Sequence, residues 1–238
     1  MARVLLEVIV QSLADARAAR DGGADRLEIV RSIGEGGLTP ALELVHEIAS
    51  AVRLPLRVMV RENGGFTVRD GELRRLQDAA RSLEAARADG IVIGFADAGR
   101  LLMRDLDLVL AAAPRVSVTF HRAFDTLADP EAAVVRLSEC PQVDRILTSG
   151  GTGTANERVA RLERYAALSP RLRIVAGGGV DLEAAGVFAK SELVREIHVG
   201  RAARTSGAAD APVSAACVEV VRTILDAPRA NRAINRDG

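Results

Sequence analysis

The stretch VLLEVIVQSLADARAARDGGADRLEIV, residues 4–30, decides the fold. It opens with an apolar run of strand length, Val4–Val10, and passes through Ser12 into a helical segment, Leu13–Asp21. After Gly22-Gly23 a second run follows, Arg26–Arg31. Strand, helix and strand in about 30 residues make the unit of a parallel sheet. The turn between the first strand and its helix is Val10-Gln11-Ser12. It has no glycine, so the GxGxxG fingerprint of a dinucleotide-binding open sheet is missing. The same alternation continues outward through Leu56–Arg61, Ile91–Gly94, Ser117–His121, Arg145–Ser149, Ile174–Ala176 and Glu196–Val199. Eight such units favour closure into a single-domain (β/α)8 TIM barrel over residues 1–226. The polar remainder, 227–238, is expected to fray or dock loosely.

The helices announce their starts. Ser12, Thr39-Pro40, Asp129-Pro130 and Asp181 precede Leu13–Asp21, Ala41–Ala51, Glu131–Glu139 and Leu182–Lys190. Each is expected to give a side-chain oxygen to free backbone N–H groups, with proline where a missing N–H is harmless. Gly22-Gly23 and Gly90 are expected to end helices before the next strand.

Composition bounds the partners. In 238 residues, 48% hydrophobic, 32 basic and 32 acidic side chains cancel, and no Lys/Arg cluster is interleaved with aromatics. Nucleic acid is therefore not expected as a partner. No apolar run approaches the roughly 20 residues of a membrane span. Met1–Arg3 leads into a strand without a signal-peptide pattern, so a cytoplasmic location is expected. Cys140 and Cys217 are far apart in sequence and read as packed, reduced thiols.

In a barrel, chemistry sits at the carboxyl ends of the strands. Side chains alternate along a strand, so placing Leu6, Val8 and Val10 against the helices turns Glu7 and Gln11 inward. By the same parity Glu28, Arg61, Thr119, His121 and His198 face the axis. Glu7, Glu28, His121 and His198 are the candidate catalytic groups, since carboxylates and imidazoles together can be tuned as acids and bases. The plain alternative for Glu7, Glu28 and Arg61 is a buried ion-pair network that fills the barrel. His46, mid-helix, reads as an ordinary helix residue.

Glycines follow strands six, seven and eight: Ser149-Gly150-Gly151-Thr152-Gly153, Gly177-Gly178-Gly179 and Gly200-Arg201. Loops at these positions present backbone N–H groups to anions in phosphate-binding barrels. Ser149, Gly150, Gly151, Gly178, Gly179, Gly200 and Arg201, with Arg61, Arg122 and Asp125, are therefore the candidate substrate-binding set. The only lysine, Lys190, lies near a helix end, which argues against Schiff-base chemistry on the axis.

At these residues the sequence resembles the CutC family, named for copper homeostasis. The resemblance rests on Leu6-Glu7, Gly23–Glu28, Glu35–Pro40, Arg61 with Gly64-Gly65, Asp70–Glu72, Thr119–Asp125, Leu147–Gly150, Ala176–Val180 and Glu196–His198. It implies a (β/α)8 barrel, a cytoplasmic location, self-association into a homo-oligomer and a role in copper handling, with copper as the suggested cofactor. Some members carry neighbouring cysteines after the first-strand glutamate; here Ile9 and Val10 stand there, and Ile29-Val30 follow Glu28. The third-strand tip reads Arg61-Glu62-Asn63 where relatives often place Arg-Pro-Arg. Cu(I) favours soft sulfur ligands, so no tight Cu(I) site from the chain's own cysteines is expected.

Three functions compete: copper binding or handling, carried by the resemblance; an isomerase or lyase moving protons on a small phosphorylated or carboxylated metabolite; and a metabolite-binding barrel without turnover.

Overall fold

The computed structural model describes residues 3–227. Eight strands, β1 Leu5–Val10, β2 Arg26–Ile29, β3 Leu56–Met59, β4 Gly90–Ile93, β5 Val118–Phe120, β6 Val143–Thr148, β7 Arg173–Ala176 and β8 Glu196–Val199, close into one parallel barrel. Each lies beside its sequence neighbour, and β8 returns to β1 with Glu7 opposite His198. Eight helices alternate with them: α1 Leu13–Asp21, α2 Leu42–Ala51, α3 Glu72–Ala85, α4 Met103–Leu110, α5 Pro130–Ser138, α6 Ala155–Leu168, α7 Leu182–Phe188 and α8 Ala215–Asp226. The (β/α)8 expectation holds, with all eight strands where the apolar runs lie. No helix among the described residues is long and apolar enough to cross a membrane. The expected tail lies, from residue 228 on, outside the described residues.

The alternation of side chains divides the apolar residues into two clusters. Leu6, Val8, Leu27, Ile29, Val58, Ile91, Ile93, Phe120, Ile146, Ile174 and Ile197 pack outward into the large sheet–helix core. Ile9, Val30, Met59 and Val92 form a small separate cluster inside the barrel. Beneath it the interior is ionic. Glu7 takes a hydrogen bond from Arg26 Nε, and Arg26 Nη2 reaches Glu196 at 2.6 Å. Arg145 binds Glu196 at 2.8 Å and also Asp144, whose carboxylate takes two bonds from Arg57 at 3.0 and 2.7 Å. Three carboxylates and three guanidiniums thus neutralise one another across the barrel, as buried charge requires.

Two local expectations need correction, and one element is additional. Ser12, Asp129 and Asp181 cap their helices through Asp15, Ala132 and Ala184 N–H, but Thr39 does not cap α2. Ala41 occupies that cap position without a side-chain bond. Thr39 Oγ1 instead accepts from Arg61 N–H and donates to Arg61 O, tying the loop after β2 to the tip of β3. Gly90 does not end α3, which stops at Ala85; it begins β4. There it leaves room for Arg57, since a Cβ would lie 2.3 Å from Arg57 Nη1. A short antiparallel ribbon, Ala96–Asp97 with Arg100–Leu101, was not foreseen. Its turn is Ala98-Gly99, both at positive φ, the geometry of a tight hairpin.

Candidate functional site

A cavity of about 660 Å³ opens at the carboxyl ends of the strands. Its floor carries Ile9, Glu28, Met59, Leu147 and His198, and its walls carry Glu35, Gly36, Arg61, Phe66, His121, Arg122, Asp125, Gly178, Gly179, Gly200 and Arg201. Of the candidate catalytic and substrate-binding residues, Glu7, Ser149, Gly150 and Gly151 are absent from this lining, as are the inward-facing Gln11 and Thr119.

Glu7 lies one level below, buried between Arg26 and His198. His198 Nδ1 is 2.8 Å from Glu7 Oε1 and 3.2 Å from Glu28 Oε2. The shorter contact is the hydrogen bond. Glu28 Oε2 approaches the ring but has no hydrogen-bonding partner, although it is sealed from solvent. Burial works against ionisation of Glu7, but the charge of Arg26 and the bond with His198 prevail and hold its proton affinity well below that of an ordinary carboxyl. For Glu28, burial prevails, reinforced by the nearby Glu7 charge, and pushes its pKa up to about 7 despite the attraction of His198. Burial alone would discharge His198; the two carboxylates outweigh it and raise the affinity of the imidazole for its proton. At neutral pH the trio therefore holds an ionised Glu7, a His198 whose hold on its proton is strengthened, and a Glu28 poised between its two states.

His121 is the opposite case. Burial, with help from the charges of Arg61 and Arg122, lowers its pKa to about 3, so the ring is neutral. Its Nδ1 accepts a hydrogen bond from Ala123 N–H at 3.1 Å. Neither Arg122 nor Asp125 bonds to His121. Asp125 instead binds Arg122 Nε at 2.8 Å, Thr148 Oγ1 at 2.6 Å and Ser149 N–H at 2.9 Å.

Arg61 faces the cavity but pairs with neither Glu7 nor Glu28. Its guanidinium donates to the carbonyls of Gly65 at 3.1 Å, Gly36 at 3.1 Å and Gly64 at 2.5 Å, and lies 4.8 Å over the Phe66 ring. It binds two rim loops together. The glycine loops also differ from one another. Gly150 and Gly151 N–H groups are taken by Thr148 and Ser149 hydroxyls, and Arg161 holds the carbonyls of Gly150 and Thr152. Arg158 holds the carbonyls of Ser149, Gly177 and Gly178. By contrast, the N–H groups of Gly178 and Gly179, both at positive φ, have no partner among the described residues. Arg201 also has no side-chain partner there.

Among the described residues, one group places metal-ligating atoms together: Glu7, Glu28 and His198, all within 4.8 Å of one another. The fit to copper is poor. The donors are hard carboxylates and one imidazole, the Nδ1 proton of His198 already lies between the oxygens, and Arg26 neutralises Glu7. The two thiols are no substitute. Cys140 precedes β6 at the amino-terminal end of the barrel, and Cys217 stands in the first turn of α8, near the carboxyl end, against Arg204 O.

A closed eight-stranded parallel barrel with one polar cavity at its mouth defines the class: a single-domain (β/α)8 protein. The pattern of the CutC family matches residues 4–203, and the chain belongs to that family. Among solved structures it resembles a CutC copper homeostasis protein of Streptococcus agalactiae, with a TM-score of 0.75 and 22% identity over 82% of this chain and 97% of that one. It also resembles thiamine phosphate pyrophosphorylase of Pyrococcus furiosus, at TM-score 0.60 and 18% identity over 93% and 95% of the two chains. N-(5'-phosphoribosyl)anthranilate isomerase of the same organism gives 0.60 and 16% over 93% and 98%. At such identities these likenesses speak to the fold.

Proposed function

We propose that this member of the CutC family is an acid–base enzyme, an isomerase or lyase, acting on a small phosphorylated or carboxylated metabolite at the barrel mouth. The observation that carries the reading is Glu28: a buried carboxyl that lines the cavity floor beside His198 and has a pKa of about 7. A general base works best when its proton affinity lies near the working pH. His198 and Glu7 hold the charge beside it, and Arg122, Arg201 and the free N–H groups of Gly178 and Gly179 offer positive potential to an anionic group. Incubation in D2O with a mixture of phosphorylated and carboxylated hydroxy and oxo compounds tests it. Wild type incorporates deuterium into a mixture component and Glu28→Gln loses about 10²-fold or more of that rate. No incorporation, or equal rates, refutes the reading.

The second reading is copper binding or handling in the cytoplasm, favoured by family membership and by the CutC likeness. Copper would then be cargo rather than a resident cofactor. Titration with Cu(I) against a competing chelator is expected to show no tight site. One-to-one binding that vanishes in a Cys140→Ser, Cys217→Ser double variant establishes copper carriage and refutes that expectation. Self-association, which the family resemblance implies, is read by sedimentation of the same sample.

A further inference from the structure

The geometry points to His121 as a hydrogen-bond donor to a carbonyl oxygen, and therefore to a substrate in which a carbonyl stands beside a carbon bearing the proton that Glu28 removes. This rests on the acid–base reading of Glu28.

The argument begins with the ring's edges. Ala123 N–H points at Nδ1, so that nitrogen offers its lone pair and the proton resides on Nε2. The Nδ1–Cε1 edge also backs onto Gly94, where a Cβ would lie 2.8 Å from Nδ1 and 3.1 Å from Cε1. Gly94 has no need of a left-handed backbone; the missing side chain is the space in which the ring stands. Nε2 has no partner among the described residues and is not among the sealed polar atoms, while the residue lines the cavity. Burial first, and then the charges of Arg61 and Arg122, keep a second proton off the ring. His121 thus offers a fixed N–H and no exchangeable charge.

A neutral donor and a carboxylate base in one cavity suit enolisation. The Glu28 carboxylate takes the proton from the carbon next to the carbonyl. The C–H electron pair becomes the new C=C bond, and the carbonyl π pair moves onto oxygen, where Nε2–H holds it. Return of the proton from Glu28 to the adjacent carbon, with transfer between the two oxygens, completes a hydroxy-carbonyl isomerisation. No oxidant, reductant or second substrate is required.

The test uses the full chain labelled with 15N-histidine. The His121 resonances are expected to show the Nε2–H tautomer and no titration between pH 5 and 8. An Nδ1–H tautomer, or a midpoint within that range, overturns the proposal. Phosphoglycolohydroxamate, which imitates an enediolate carrying a phosphate, is then added. It is expected to bind and to move the His121 Nε2–H signal, and His121→Phe is expected to weaken it at least tenfold while His121→Gln, which keeps an N–H donor, retains most of the affinity. Failure of wild type to bind, or equal binding by His121→Phe, also overturns it. Dihydroxyacetone phosphate in D2O separates the two readings. Exchange by His121→Phe at the wild-type rate sinks the donor role and leaves Glu28 standing. An intact Nε2–H signal response with no exchange by wild type sinks the base and leaves the donor.

Discussion

Replacing Glu28 by Gln should make the protein more stable, and only above a certain pH. The carboxyl has an ordinary value of 4.5 and a folded value of about 7. Between those values the folded chain holds a proton that the unfolded chain has released, so rising pH favours unfolding. Below pH 4.5 the residue is neutral in both states and carries no penalty. Above pH 7 the full difference of about 2.5 pH units applies, about 3 kcal/mol at ~1.4 kcal/mol per unit. Glutamine keeps the shape and remains neutral throughout. The attraction to His198 is already contained in the folded value, so it is not subtracted again. For a chain of this size the gain corresponds to roughly 6–12 °C in Tm at pH 8.5, shrinking to almost nothing at pH 4. Calorimetry of both proteins from pH 4 to 9 reads the difference directly. A Tm difference independent of pH, or a less stable variant at pH 8.5, refutes the account of Glu28 as a buried group that resists ionisation.

Three further outcomes follow from the same geometry. Arg26→Ala leaves Glu7 and Glu196 buried without their shared cation and should cost about 3–5 kcal/mol in urea unfolding; a loss under about 1 kcal/mol contradicts the ionic floor. Gly90→Ala places a methyl 2.3 Å from Arg57 Nη1 and 2.7 Å from Ser117 O, and should cost about 1–3 kcal/mol, so an unchanged Tm shows that Arg57 does not need that space. Inorganic phosphate should raise Tm and protect the Gly178–Gly179 turn from hydrogen exchange, less so in Arg201→Gln; no effect in either measurement argues against an anion at these groups.

The fold was legible because each strand carries its alternation openly: Leu6, Val8 and Val10 against Glu7 and Ile9 is enough to set the parity of β1. The same parity brought Glu28, His121 and His198 to one cavity. Applied to Arg26, Arg57, Arg145 and Glu196, it would also have revealed the ionic floor, because these stand at the inward positions of β2, β3, β6 and β8. The rim was not legible. Whether a glycine N–H is free depends on side chains that arrive from elsewhere: Thr148 and Ser149 occupy those of Gly150 and Gly151, whereas no described residue occupies those of Gly178 and Gly179. Nor does the sequence show that Arg61 would spend its donors on carbonyls, or that Thr39 would bind a strand tip instead of a helix.

That grip by Arg61 bears on how the pocket can change over generations. It holds main-chain oxygens, at Gly36, Gly64 and Gly65, and every residue type has those. The letters just before the first anchor point, such as Ile33 and Glu35, line the cavity without giving Arg61 a hydrogen bond. Descendants of this chain can therefore rewrite that wall one residue at a time, and with it the ligand that fits, while the rim keeps its shape. Arg61 has no such latitude, and Gly36 very little, since a Cβ there would lie 2.9 Å from Arg61 Nη1.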